Sequence, residues 1–355
     1  MVESPTPRQI VKRMLQGIAP PRPLFLPIVF SLGARIENLA LRAFLSNPTK
    51  ISNSLIRIRG HLRSDGVACY FDPCLEAEAL GAGLSWQTEE QPPTLHWSAD
   101  ARKGALPEGL RSPEQAAKSG RIAIAVEVIR RLKTLLRDDS LLMAGVTGPF
   151  TLAAQLTQLE REDTLRRGDV PDAAMELAAS MIAQVSSAFV EAGANLIFIQ
   201  EEVLPALSAE DCEAWAGLLA PTFNIIRFYE ALPVLQFSNH HSFAENREVI
   251  FRRHWDCILC PVLDGILSRE SRRIPELGAA TIGVALPRET FQIKEPVSEE
   301  AHQFLRQVIS ELRPAILTTA GDVPASTDMK RLVRILENVP CAMQVGTSNR
   351  KLREP

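Results

Sequence analysis

Asp72, Gln200, Glu201, Glu202, Gln236, Ser238, His240, His241 and Asp322 carry the side chains of this sequence best suited to chemistry. Each lies at or just past the end of a short β-rich run, and Thr147, Thr151, Asp264, Thr319 and Gly321 hold equivalent places. Carboxylates that converge on one mouth raise one another's pKa, bind a cation, or do both. Asp72, Glu202 and His240 are the candidate catalytic groups, with Gln236, Ser238, His241 and Asp322 expected to bind substrate. Glu202, His240 and Asp322 also form an oxygen and nitrogen donor set suited to a hard or borderline metal ion. Each residue has a structural reading as well. Asp72 precedes Pro73, a pair that starts turns. Glu201 and Glu202 are adjacent, so one points into the mouth while the other caps a helix or meets solvent. His240 and His241 close "LQFSNHH" on what reads as a polar loop, where histidines are common.

The elements that would position these residues alternate along the chain. Strand-like runs occur at 24–31, 67–71, 141–148, 195–200, 232–238, 256–263, 280–286 and 315–321. Between them, segments such as "RIAIAVEVIRRLKTLLRD", "AAMELAASMIAQVSSAFVEAGA" and "SEEAHQFLRQVISELRP" repeat apolar residues at three and four, the helical period. Eight βα units predict an α/β fold of the (β/α)8 TIM-barrel type, in which the C-terminal strand ends face one pocket. The stretch 72–97 breaks the rhythm and reads as a small hairpin insertion. Residues 1–20 are expected to form an N-terminal helical extension, 21–345 the barrel, and 346–355 a loose polar tail.

Composition excludes several classes. The 355 residues are 46% hydrophobic and 23% charged, with a net charge of -3, so no basic footprint marks a nucleic-acid partner. No stretch approaches the roughly 18 uninterrupted apolar residues of a membrane span, and the N-terminus lacks a secretory pattern. Six cysteines in so long a chain fit reduced thiols and a cytoplasmic location. "HWDCILC" spaces His254, Cys257 and Cys260 by threes, but residues three apart on a strand face opposite sides, which argues against a shared zinc. "GVTGPFTLAAQL" reads as a strand-to-helix turn, with the Thr151 hydroxyl placed to satisfy a first-turn amide.

That last segment resembles the uroporphyrinogen decarboxylase superfamily, in which a Gly-x-Pro-aromatic-Thr-Leu turn follows the third barrel strand. Four further pieces agree in order: "FDPCLEAEALG" with Asp72 and Gly81, "VEAGANLIFIQEE", "GVALPRETF" and "TTAGDVPASTDMKRLVRILENV". The resemblance implies a TIM barrel and one of two chemistries, tetrapyrrole decarboxylation or methyl transfer to and from corrinoids and thiols. Of the decarboxylase residues only Asp72 is kept. Arg35 stands near its N-terminal arginine motif, Gln155 replaces its tyrosine, Glu202 falls near its serine, and Ala320 or Gly321 replaces its histidine. The methyltransferase branch is closer in phrasing. Its thiol-activating zinc ligands, a His-x-Cys and a later Cys, fall on Gln236, Ser238 and Gly321, so that thiolate site is absent.

The expectation is therefore a methyltransferase moving a methyl group between a small methylated donor, of methoxy, methylamine or thiol type, and a corrinoid. The corrinoid (cobalamin) is expected from a partner, such as a corrinoid protein, and zinc would need the substitute donors named above. Arg35 and Gln155 join the binding residues on the strength of the resemblance, which is also compatible with a homodimer. The alternatives are a decarboxylase or lyase acting on a tetrapyrrole or aromatic acid, and a barrel that binds a ligand without chemistry.

Overall fold

A sheet covered by helices on one side and filled by side chains on the other buries both faces, so its strands are apolar along their whole length. The computed structural model describes residues 5–98, 100–159, 165–238, 240–261, 281–286, 314–330 and 332–333. Its strands in chain order are β1 (Leu24–Phe25), β2 (Gly66–Tyr70), β3 (Gly83–Ser85), β4 (Thr94–His96), β5 (Leu141–Thr147), β6 (Leu196–Glu201), β7 (Leu232–Phe237), β8 (Cys257–Pro261), β9 (Thr281–Leu286) and β10 (Ile316–Thr319). Eight of them make one parallel sheet in the order β1-β10-β9-β8-β7-β6-β5-β2. This is a nearly closed (β/α)8 barrel, as the alternation of the sequence predicts.

The seam between β1 and β2 is stitched by one residue. The Asp65 amide donates to the Phe25 carbonyl at 2.9 Å, its carboxylate accepts the Phe25 amide at 2.8 Å, and Arg22 grips both carboxylate oxygens at 2.7 Å. The expected strand at 24–31 stops at Phe25 because Pro27 has no amide to offer the ladder. Side chains of the last strand replace the missing rungs: Thr318 Oγ1 donates to Leu26 O at 2.6 Å, and Thr319 Oγ1 accepts from the Ile28 amide at 3.0 Å.

The surrounding helices begin where the chain supplies caps. Thr6 and Gln9 form a reciprocal capping box ahead of helix Pro7–Leu15, and Ser208 and Asp211 do the same for helix Ala209–Phe228. Gly193 ends helix Asp172–Ala192 at φ 117°, where a Cβ would also stand 2.4 Å from Lys133. That helix is long and apolar enough to cross a membrane, but it packs on β5, β6 and the neighbouring helices of the barrel. Segment 72–97 holds more than a hairpin: helix Leu75–Leu80 precedes the antiparallel pair β3–β4. Residues 298–313 of the helical pattern expected at 298–314, Asp264 and the tail 346–355 lie outside the described residues.

Candidate functional site

Thr147 ends β5, Gln200 is the penultimate residue of β6, Asp72 follows β2 and Asp322 follows β10, so all four reach the C-terminal mouth of the barrel. They line one cavity of about 1080 Å³, together with Arg35, Thr151 and Glu202. Thr88 and Glu90–Pro93, from the connection between β3 and β4, form a further wall. That connection is held by Arg42, whose guanidinium stacks 5.8 Å over Trp86 and pairs with Glu89 at 3.3 Å. Arg35, Glu90 and Gln91 are exposed, so the cavity opens to the surface at this rim.

The acids of the mouth have separate structural histories. Asp72 forms a buried ion pair with Arg121, and the Arg121 Nε donates to Glu78 at 2.6 Å. Asp72 Oδ1 also accepts the Cys74 amide at 2.9 Å, the turn-capping role that Asp-Pro suggests. Arg121 carries no signal in the sequence, because it lies 49 residues from Asp72 in an ordinary helix pattern. Asp322 is a clamp between the two ends of the barrel. Its oxygens accept the Phe30 and Ser31 amides at 2.7 and 2.9 Å. We expect Asp322→Ala to cost about 2 kcal/mol in urea unfolding, since two partly buried amides lose a charged acceptor. An equal loss with and without a chelator identifies the clamp rather than a bound metal as its cause.

Of the adjacent glutamates, Glu201 is the one turned inward to the fold. It is fully buried and accepts the Phe150 and Thr151 amides at 3.0 and 2.9 Å, the Thr151 hydroxyl at 2.5 Å and Trp215 Nε1 at 3.0 Å. Burial pushes its carboxyl up while these donors pull it down. Thr151 Oγ1 already accepts the Glu202 and Val203 amides at 2.9 and 3.1 Å, so its own proton is committed to Glu201. Glu201 thus accepts from four donors at the N-terminus of helix Pro149–Leu156, with burial holding its carboxyl above the usual carboxylate range. Gly148 is required beside it, since a Cβ there would stand 2.2 Å from the Glu201 carboxyl carbon. Glu202, the adjacent glutamate, lines the cavity.

Several expected binding residues are placed behind the wall. Gln236 is buried, accepts from Gln200 Nε2 at 2.9 Å and donates to the Thr319 carbonyl at 3.0 Å, which makes it a strut across the barrel. Gln155 donates to the Pro73 carbonyl at 3.0 Å, and Ser238 donates its amide to Glu201 O at 3.1 Å. The two histidines, expected on a loop, open helix His240–Phe251 instead. Its Phe243 packs 5.5 Å from Phe237 and its Asn246 caps the Leu207 amide at 2.8 Å, contacts that a local polar pattern does not announce. His241 is exposed there, and the His240 side chain lies outside the described residues.

Gln236, Ser238 and Gly321 offer no thiolate, and the Gln236 amide is engaged at both ends. Among the described residues, no three His, Cys, Asp or Glu side chains converge as a metal-binding group. Cys257 and Cys260 are buried in β8 while His254 is exposed, so the HWDCILC spacing does not gather them. Burial pushes the Cys260 thiol up to about 12, the state of barrel filling rather than of a ligand. Sequence reasoning missed Arg121 and also Glu76, a buried acid in "FDPCLEAEALG". Glu76 sits where a helix period would have put an apolar residue, and that was its only signal.

The family model for uroporphyrinogen decarboxylase (URO-D) matches residues 6–244. Two curated relatives, each named "Methylcobamide:CoM methyltransferase MtaA", from Methanosarcina barkeri (strain Fusaro / DSM 804) and Methanosarcina barkeri, are 25% identical over 128 and 137 residues. Those segments are 36% and 38% of this chain and span 37% and 40% of the relatives' length. In fold, the chain is similar to a methyltransferase from Methanosarcina mazei, with a TM-score of 0.76, 15% identity, and coverage of 96% of this chain and 98% of that one. It is similar, more distantly, to a B12-independent methionine synthase from Shewanella sp. W3-18-1, with a TM-score of 0.55, 11% identity, and coverage of 87% and 89%. Matched by the family model over more than half of its length, the chain belongs to the uroporphyrinogen decarboxylase family.

Proposed function

We propose that this protein is a cytoplasmic methyltransferase that moves a methyl group between a small methylated donor and a corrinoid, taken up free or presented by a partner corrinoid protein. The observation that carries the reading is the charge of the cavity wall. Arg35 is the one cationic side chain among the described lining residues, beside the acids Asp72, Glu90, Glu202 and Asp322, of which Asp72 is already paired with Arg121 behind the wall. A tetrapyrrole bearing many carboxylates needs cationic donors around it, and the described wall offers one. A neutral or cationic methyl donor has no such need. The named methyltransferase relatives support the same branch of the family.

The volume and open rim fit a bulky cofactor face approaching from outside while a small donor sits within. When bound, the corrinoid supplies the metal centre that exchanges the methyl group. The chain's part is to orient the donor with Gln200 and Glu202 and to shield it from water with the connection between β3 and β4. Gln236, Ser238 and Gly321 carry no thiolate, so no step is assigned to a zinc ion at those positions.

An anaerobic assay with Co(I) cobalamin and a panel of methoxyarenes, methylamines, methanol and methyl thioethers tests the proposal. The expected result is protein-dependent loss of the Co(I) absorption with one donor class, slowed about 10²-fold by Glu202→Gln. Silence across the panel, with an active methyltransferase run in parallel, would refute it. Binding of a porphyrin with a shifted visible spectrum would then favour the decarboxylase.

A further inference from the structure

Behind the cavity wall, a buried acid touches one of its hydroxyls. Glu76, on helix Leu75–Leu80, has no exposed surface. Its Oε2 lies 2.8 Å from Thr147 Oγ1 and its Oε1 accepts the Thr147 amide at 3.3 Å. Thr147 Oγ1 is also 3.3 Å from the Pro73 carbonyl, and Thr147 lines the cavity.

Two proton arrangements fit these distances with no heavy atom moved. With Glu76 ionised, the Thr147 hydroxyl donates to it. With Glu76 protonated, Oε2–H donates to Thr147 Oγ1, which turns its own proton toward Pro73 O or toward a group in the cavity. Glu201 has no such freedom, because every partner it has is a donor. Resting on the methyltransferase reading above, we propose that Glu76 is a proton reservoir and Thr147 its outlet, together delivering a proton to the group that loses its methyl.

The balance is simple. The carbon–X bond of the donor breaks with its electron pair left on X, and the methyl takes up the pair of a Co(I) corrinoid acceptor. X takes the Thr147 proton, Thr147 takes the Glu76 proton, and the carboxylate left behind is reprotonated from solvent through the same hydroxyl. The surroundings agree. Burial pushes the Glu76 carboxyl up to about 7, the Thr147 donors oppose this, and Asp72 adds to the rise. Arg121, on packed helix Gly120–Leu136, is occupied by Asp72 and by Glu78 of the same short helix as Glu76. Helix Pro149–Leu156 and strand β5 contribute no ionisable side chain, and Glu114, Asp172, Glu176 and Glu191 on the other packed helices are exposed.

Two measurements test this on the full chain. In difference infrared spectra against Glu76→Gln, the wild type should show one protonated-carboxyl band that disappears as pH rises through about 7, displaced in Thr147→Val. The absence of that band, or its indifference to Thr147→Val, overturns the wire. The second is single-turnover methyl transfer to Co(I) cobalamin from a methoxyarene, whose leaving oxygen needs a proton, and from trimethylsulfonium, whose leaving thioether does not. The methoxyarene-to-sulfonium rate ratio should fall about 10²- to 10⁴-fold in Glu76→Gln and Thr147→Val, and recover in Thr147→Ser. In the wild type this ratio should itself decline with rising pH as the reservoir empties. Equal slowing with both donors overturns the proton role and leaves the methyltransferase reading intact. No transfer from either donor or from the wider panel overturns both.

Discussion

Glu201→Ala should destabilise the protein by about 3–5 kcal/mol, because it leaves several buried neutral donors unsatisfied at roughly 1–3 kcal/mol each. The substitution strands the Phe150 and Thr151 amides and Trp215 Nε1, each now 3.0 Å or less from a carboxylate oxygen, inside the fold. It also opens a void beside Gly148. Glu201→Gln should be nearly as harmful despite its matching shape, because its NH₂ group would face donors that need an acceptor. Urea unfolding read by tryptophan fluorescence measures both, since Trp215 reports on the lesion itself. A loss under 1 kcal/mol for Glu201→Ala would show that the four bonds add little, and would undo the assignment of Glu201 as the anchor of β6 to helix Pro149–Leu156.

Arg121→Ala should cost about 3 kcal/mol through a related cause. The Asp72 side chain is 5% exposed, and without Arg121 its charge is buried and uncompensated. The double variant Arg121→Ala with Asp72→Ala should be less damaged than the sum of the single variants, because the second change removes the stranded charge. Simple additivity in that cycle would mean the pair is not coupled. The result bears on function, since Asp72 lines the cavity and Arg121 holds it in place. Loss of activity in Asp72→Ala alone therefore does not make Asp72 a catalytic group; Arg121→Ala separates positioning from chemistry.

The barrel was legible in the chain because a parallel strand buried on both faces is written as a continuous apolar run, and its helices as a 3.6-residue stripe. All eight runs became strands of one sheet. The exception in length, β1, was also foreseeable in kind, since Pro27 cannot extend a ladder. The helix at His240–Phe251 was not, because its start is polar and its hold on the fold comes from Phe243 and Asn246 meeting β7 and the segment before Ser208. Local residues gave the loop a fair claim that tertiary contacts overruled.

The site divides the same way. Types and strand-end positions brought Asp72, Thr147, Gln200, Glu202 and Asp322 to one mouth, and the cavity there contains them all. Which of them are available for chemistry depended on partners far away in sequence. Asp322 is spent on Phe30 and Ser31, Asp72 on Arg121, Glu201 on Thr151 and Trp215, and Gln236 on Gln200 and Thr319. By itself the sequence determined the eightfold alternation, the face on which polar ends gather and the absence of a thiolate zinc set at Gln236, Ser238 and Gly321, because periodicity and residue type are local properties. The tertiary structure decided which of two adjacent glutamates turns inward and that Glu76 meets Thr147 across 71 residues of chain, because hydrogen bonds and burial are made between elements that folding alone brings together.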